Sequence, residues 1–262
     1  MAKEKTPLFA AERQQQIYEI LKQENKVLIT ELCERFAITP PTARNDLREL
    51  EEKGLVKRTH GGAILSKSNT FETDFSHRET ECIREKQQIA QCALELVHDG
   101  DSVILDSGTT ALEFAKALCV RHGLTVVTCD LKVAMVLQEN SDAEILLLGG
   151  TVRKGFYCTT GVQVVEALSR LCADLCFLGT TGVSADRGIS TPSAAHAEIR
   201  RCMIRASART VVLADSQKVG VNSFHIVAPP ERVDVLITDA GIREEDRAQL
   251  EAAGIELHIA SV

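Results

Sequence analysis

Apolar residues return at the spacing of one helical face between residues 10 and 24, where Ile17, Ile20 and Leu21 line up before Asn25-Lys26 breaks the run. Residues 27–29 read as a short strand or a bend. Thr30 is placed to cap a second helix that runs to Phe36, with Leu32, Cys33 and Phe36 inward. After the turn Ala37-Ile38-Thr39 comes Pro40-Pro41. A residue before proline avoids the helical region, so the third helix is expected to start at Pro41, with Ala43, Leu47 and Leu50 facing in. Beyond Gly54, residues 55–64 read as a hairpin with a basic, glycine-tipped end. This order of helices, tight turn and basic hairpin is that of a winged helix-turn-helix over residues 10–65, the helix-turn-helix itself at about 27–46.

In such a unit the third helix enters the major groove. Arg44 carries the fork that suits guanine and Asn45 the amide that suits adenine, each worth about 1–3 kcal/mol of discrimination when bidentate. Arg48 shares the face that the core leaves free, and Thr42, Lys57, Arg58 and His60 stand where phosphate or minor-groove contacts are made. The acidic residues Glu31, Glu34, Glu49, Glu51 and Glu52 are expected on the far sides, leaving the recognition edge clear. The rival reading is a three-helix protein-interaction module with a solvated charged face.

Residues 66–84 open with a polar, patternless stretch and read as a linker. From residue 85 onward the pattern becomes a regular alternation. Helical stretches at 85–97, 131–139, 162–171, 194–208 and 244–253 are interleaved with apolar strands at 102–105, 124–128, 144–148, 175–178, 211–214, 235–238 and 255–260. Strand-then-helix spacing implies an α/β, doubly wound and mainly parallel sheet over 85–262, whose ligands sit beyond the carboxyl ends of the strands.

The strand ends carry the candidate chemistry. Asp106-Ser107-Gly108-Thr109-Thr110 sits between a buried strand and an amphipathic helix. Thr109 or Thr110 is a candidate N-cap, Gly108 permits close backbone approach, and the free amides of a helix start suit a phosphate. Asp130, Gly150, Arg153 and Lys218 follow other strands, so hydroxyls, glycine amides, carboxylates and two cations converge as a phosphorylated polyol requires. Taken singly, each also has a plain structural explanation: Asp130 as a helix cap, Arg153 and Lys218 as solvated charges.

Charge does not decide the partner. The net charge is −7, yet residues 1–65 hold 11 Lys and Arg against 10 Asp and Glu, while the rest hold 19 against 27. The nine cysteines are odd in number and mostly set among apolar neighbours, which suits thiols in a reducing cytoplasm. Cys172 and Cys176 have the spacing of one helical turn but no second pair at zinc spacing, so no metal and no cofactor is expected. The start is charged and polar and no apolar run approaches a membrane span, so no membrane partner is expected. The absence of Trp argues against a stacking platform for single strands.

Several stretches together resemble the DeoR family of bacterial transcription regulators over essentially the whole chain. They are T-P-P-T-A-R-N-D-L-R-E-L-E at 39–51, H-G-G-A at 60–63, E-K at Glu85-Lys86, D-S-G-T-T at 106–110, L-L-G-G at 147–150, F-L-G-x-x-G at 177–182, G-I-S-T at 188–191 and A-D-S-x-K-x-G at 214–220. The resemblance implies a winged helix followed by a sensor similar to ribose 5-phosphate isomerase folds. It also implies a repressor of a sugar or amino-sugar catabolic operon, a homo-oligomer (dimer or tetramer) that a phosphorylated sugar releases from double-stranded operator DNA. By position, Asp106 to Thr110 would hold the phosphate and Asp130, Gly150, Arg153 and Lys218 would surround the sugar. Two residues depart from the family pattern: Asn45 where many relatives carry a second arginine, and Asp130 where many carry asparagine. The R-N-D-L form and the A-G-I-E-L-H-I ending are similar to the branch handling N-acetylgalactosamine. The alternative from another class is a sugar-phosphate isomerase-like enzyme with a fused helical domain, but no specific acid/base pair can be assigned, so the expectation is not an enzyme.

Overall fold

In the computed structural model, which describes residues 8–52, 54–65 and 75–261, the periodic segments form two units, Met1–Thr73 and Asp74–Val262. The first holds α1 (Ala10–Glu24), β1 (Lys26–Leu28), α2 (Ile29–Phe36), α3 (Pro40–Glu52), β2 (Val56–Thr59) and β3 (Gly62–Leu65). Ile17, Leu21, Leu32, Ala43, Leu47 and Leu50 meet in its core, each at most 2% exposed. The three strands form an antiparallel sheet in the order β1-β3-β2, so the wing is tied to the strand ahead of α2. Gly62 makes that approach possible: a Cβ there would stand 1.9 Å from the Val27 carbonyl oxygen. Thr30 is not a cap. α2 begins one residue earlier, and the Leu28 N–H donates to Glu31 Oε2 at 2.9 Å.

The second unit runs α4 (Phe75–Thr80), α5 (Ile83–Leu94), β4 (Ser102–Leu105), α6 (Thr109–Leu118), β5 (Thr125–Thr128), α7 (Leu131–Asn140) and β6 (Glu144–Leu147). It continues with β7 (Thr151–Arg153), β8 (Cys158–Thr160), α8 (Val162–Leu168), β9 (Ala173–Gly179), β10 (Gly182–Ser184), β11 (Gly188–Thr191) and α9 (Ala194–Arg205). It ends with β12 (Ser207–Leu213), β13 (His225–Ala228), β14 (Val235–Asp239), α10 (Glu244–Ala252) and β15 (Glu256–Ala260). Seven strands pair in parallel in the order β15-β14-β12-β9-β4-β5-β6. Successive residues supply opposite cores, as a sheet covered on both faces requires: Val103, Leu105 and Phe177 on one side, Ile104, Cys176 and Leu178 on the other.

β4 leads outward to β5 and β6 on one side, while the later strands β9, β12, β14 and β15 build outward on the other. The topological switch therefore lies between the carboxyl ends of β4 and β9, the crevice where open α/β sheets take ligands. Three features depart from the expected alternation. β7 and β8 form an antiparallel hairpin, β10, β11 and β13 form a small antiparallel sheet, and α4 lies within the stretch read as linker. Phe75 of α4 is fully buried, so residues 75–80 belong to the sensor unit; residues 66–74 of that stretch lie outside the described ones. Cys172 and Cys176 do not share a helical turn, since residues 173–179 form β9. Among the described residues no helix is long and apolar enough to cross a membrane.

Candidate functional site

The candidate DNA-facing surface of the first unit is built on α3. Its buried acid Asp46 accepts from Arg13 Nε at 2.6 Å and from Arg13 Nη2 at 3.0 Å, which locks α3 against α1 through a bidentate pair. The opposite face of α3 leaves Arg44, Asn45 and Arg48 exposed, with Thr42 half-buried. Arg44, Arg58, Thr59 and His60 line a groove between α3 and the wing, and Lys57 is exposed on the wing. The acids do not keep clear of this edge. Glu51 holds Arg58 (Nε to Oε2, 2.6 Å), and Glu49 accepts from Asn45 Nδ2 at 2.9 Å while Arg48 Nη2 donates to Asn45 Oδ1 at 2.6 Å. Thr42 hydrogen-bonds Thr39 hydroxyl to hydroxyl at 2.9 Å. Asn45 and Arg58 are thus both held by carboxylates.

At the switch point the chain leaves β4 through Asp106 and enters α6 at Thr109. The N-cap is Gly108, not a threonine, with φ +117°, a conformation that an L side chain rarely adopts. Ser107, Thr109 and Thr110 are each at most 8% exposed. The first intrahelical bond is Leu112 N–H to Gly108 O at 2.9 Å, so the amides of Thr109, Thr110 and Ala111 precede the helix's own bonding. The amide of Gly108 itself is taken: it donates to Asp130 Oδ2 at 3.0 Å. Asp130, fully buried, also caps α7 by accepting from the Lys132 and Val133 amides. Burial pushes its carboxyl up to about 6, against the opposing pull of these three amide bonds.

Asp106 is tied down as well. Its Oδ2 accepts from Arg200 Nε of α9 at 2.8 Å and from the Gly179 amide at 3.1 Å, with both charged side chains at most 6% exposed. Its Oδ2 thereby ties the loop after β4 to α9 and to the end of β9. Gly150 is a packing position: a Cβ there would lie 2.5 Å from the Thr160 carbonyl oxygen.

Arg153 stacks 3.5 Å from the Phe156 ring centroid and its Nη1 donates to His196 Nδ1 at 3.2 Å. A guanidinium only donates, so the neutral His196 ring carries its proton on Nε2, which faces Cys158 Sγ at 3.2 Å. Burial pushes the Cys158 thiol up to about 11, partly offset by the Ser107 hydroxyl. Arg153 thus connects to the Asp106–Thr110 loop through His196, Cys158 and Ser107. Lys218 donates to Asp215 and lies near Lys86, whose Nζ donates to the Arg78 and Glu81 carbonyls. Burial first, then Lys218, pulls the Lys86 ammonium down to about 8. His196, Arg200 and Arg78 were missed in the sequence, where nothing in their spacing marks them; Lys86 stands in the E-K motif.

A helix-turn-helix with a wing, joined in one chain to a doubly wound α/β unit with a polar loop at its switch point, has the make-up of DNA-binding regulators that carry their own sensor. Residues 13–69 match the DeoR-like helix-turn-helix domain and residues 81–240 the DeoR C terminal sensor domain. The chain belongs to the DeoR family and is a transcriptional regulator, not an enzyme. It is 35% identical to the HTH-type transcriptional regulator GolR of Listeria innocua over 97% of this chain and 100% of that protein. It is 32% identical to a putative aga operon transcriptional repressor of Escherichia coli O157:H7 over 97% and 95%. Among solved structures, ribose 5-phosphate isomerase A of Methanocaldococcus jannaschii aligns with a TM-score of 0.38 and 18% identity over 51% of this chain and 52% of that one.

Proposed function

We propose that the chain is a cytoplasmic, homo-oligomeric repressor of a sugar-catabolic operon and that a phosphorylated sugar releases it from its operator. The observation that carries the effector site is the loop at the switch point, where three amides and the buried hydroxyls of Ser107, Thr109 and Thr110 gather at the start of α6. A phosphate dianion satisfies such donors and the helix dipole together. In this reading Ser107 to Thr110 hold the phosphate, Asp106 and Gly150 shape the loops, and Asp130, Arg153 and Lys218 border the sugar. Arg44 and Asn45 read bases, while Thr42, Arg48, Lys57, Arg58 and His60 position the backbone. The repressor assignment draws on the aga relative's name.

The oligomer is supported by the sheet edges. β15 carries Glu256, bonded to both Arg209 and His258, so that edge is charged. β6 is the other edge, where Leu146 and Leu147 are each 43% exposed and Met135 of the neighbouring α7 is 62% exposed. A second copy covers this edge best: antiparallel pairing of β6 with β6 about a twofold puts the two Glu144 carboxylates at opposite ends of the ladder, whereas parallel pairing sets them side by side. Two recognition helices related by a twofold are what a two-half-site operator requires.

Thermal melting of the full chain against N-acetylgalactosamine 6-phosphate, glucose 6-phosphate, glycerol 3-phosphate and the parent unphosphorylated sugars tests the effector class. A phosphorylated member is expected to raise the melting temperature, by about 3 kcal/mol of stabilisation at a hundredfold excess over Kd. Equal stabilisation by an unphosphorylated sugar would remove the phosphate loop from the account.

A further inference from the structure

The outer side of α9 carries a groove of its own. Arg201, Ile204 and Arg205 fall at i, i+3 and i+4 and so share one face of the helix. With Val227 and Ala228 of β13 and Arg232 of the turn Pro230–Arg232, they line a cleft of about 240 Å³. Ile204, Val227 and Ala228 form its floor, each at most 5% exposed. Guanidinium groups form its rim, with the side chains of Arg201 and Arg205 38% and 60% exposed. α9 turns other residues, Arg200 and His196, toward Asp106 and Cys158. The groove thus lies apart from the Asp106–Thr110 loop.

The rim holds more cations than acids. Arg201 donates through Nη1 to Glu198 Oε2 at 3.1 Å and through Nη2 to the Ile226 carbonyl. Arg205 Nη2 lies 3.6 Å from Glu198 Oε1 and 3.0 Å from Cys202 Sγ. One exposed carboxylate therefore serves two guanidinium groups. Arg232 is exposed, and among the described residues its side chain makes no hydrogen bond or ion pair, nor does that of its neighbour Glu231. Over residues 198–232 six Lys and Arg stand against three Asp and Glu, whereas residues 66–262 as a whole hold 19 against 27. A basic groove on an acidic body steers an acidic partner to one place, because the remaining surface repels it.

Size decides the kind of partner. Pockets that enclose a whole small ligand run to about 300–1,000 Å³, so this cleft suits an apolar side chain better than an entire metabolite. An apolar floor with an arginine rim is the complement of an acidic segment that carries an aliphatic anchor. The anchor fills the floor, and carboxylates on either side of it reach the guanidinium forks. We infer that this groove is a docking site for an acidic segment of another protein, its anchor seated on Ile204, Val227 and Ala228 and its carboxylates held by Arg201, Arg205 and Arg232. Such docking is independent of sugar-phosphate capture and adds a protein partner to operator and effector.

The test uses the full chain as wild type, Arg205→Glu, Arg232→Glu and Arg232→Lys. A fluorescent peptide with a pair of leucines flanked on both sides by glutamates is titrated by anisotropy. Its controls carry serines for the leucines or lysines for the glutamates. Wild type is expected to bind the glutamate–leucine peptide about tenfold more tightly than either control, and more weakly as salt rises. Each charge reversal is expected to weaken that peptide by about 5–20-fold and Arg232→Lys by less, since lysine keeps the charge and loses only the fork. Arg205 also belongs to the last turn of α9, so Arg232→Glu carries the test if the Arg205 variant melts early. Equal binding of the serine peptide, unchanged binding by Arg232→Glu, or no binding of the glutamate–leucine peptide by wild type would overturn the inference. So would a smaller oligomer of Arg232→Glu in sedimentation, which would make a second copy of this chain the occupant.

Discussion

Asp106→Asn removes one charge from a pair that water hardly reaches, leaving the Arg200 guanidinium buried 6% exposed beside a neutral amide. Asparagine retains an acceptor for the Gly179 amide, so the loss is chiefly electrostatic. Breaking a buried pair on one side costs about 3–5 kcal/mol, because the surviving ion stays desolvated. For a unit of this size about 2–4 °C accompanies each kcal/mol, so melting is expected to fall by about 6–20 °C. The assay is calorimetric or circular-dichroism melting of wild type, Asp106→Asn and the double variant Asp106→Asn/Arg200→Met. The double variant is expected to recover most of the loss, since removing both ions also removes the stranded charge. A single-variant drop below about 2 °C, or a double variant no better than the single, would refute the view that this pair ties the loop between β4 and β9.

Three further outcomes follow from other parts of the molecule. Arg44→Ala is expected to cost about 1–3 kcal/mol of operator affinity and to relax preference at one base position, whereas Lys57→Ala weakens all sequences alike; a binding-site selection profile that Arg44→Ala leaves unchanged contradicts the placing of α3 in the groove. Asp130 titrates at about 6 in the fold against an ordinary 3.8, so its buried charge weighs on the fold above pH 6 and is relieved as pH falls toward 4. Urea unfolding should therefore show wild type gaining about 1 kcal/mol relative to Asp130→Asn between pH 7 and pH 5, and parallel profiles would contradict the burial argument. Leu146→Lys is expected to lower the oligomer to monomers in sedimentation without lowering the sensor's melting temperature; an unchanged oligomer excludes the β6 edge as the interface.

Where periodicity ran long, the sequence was legible. The α3 stripe of Ala43, Leu47 and Leu50 and the seven apolar strands of the parallel sheet lie where their spacing put them, because burial on one face or on both faces leaves a pattern. Short elements left none. α4 has Phe75 as its buried apolar anchor, and β11, Gly188–Thr191, is buried along its whole length without alternating. In the Asp106–Thr110 loop, residue types alone did not show the bonding. The partner of Asp106, Arg200, stands 94 residues further on, too far for spacing to reveal. That the Asp130 carboxylate holds the Gly108 amide and two amides of α7 is also not written in its spacing. Likewise the acids of α3 were assigned to its far sides, yet Glu49 sits one helical turn from Asn45 and holds it.

In the proposed control, a dianion caught at the start of α6 loosens the grip of α3 on DNA. The most direct measurement is operator affinity with and without the stabilising sugar phosphate, in wild type and in Thr109→Val. Wild type is expected to bind operator about 5–150-fold more weakly when the ligand is present, and the variant to bind equally with and without it. Equal weakening in both proteins would show that the anion acts from another place.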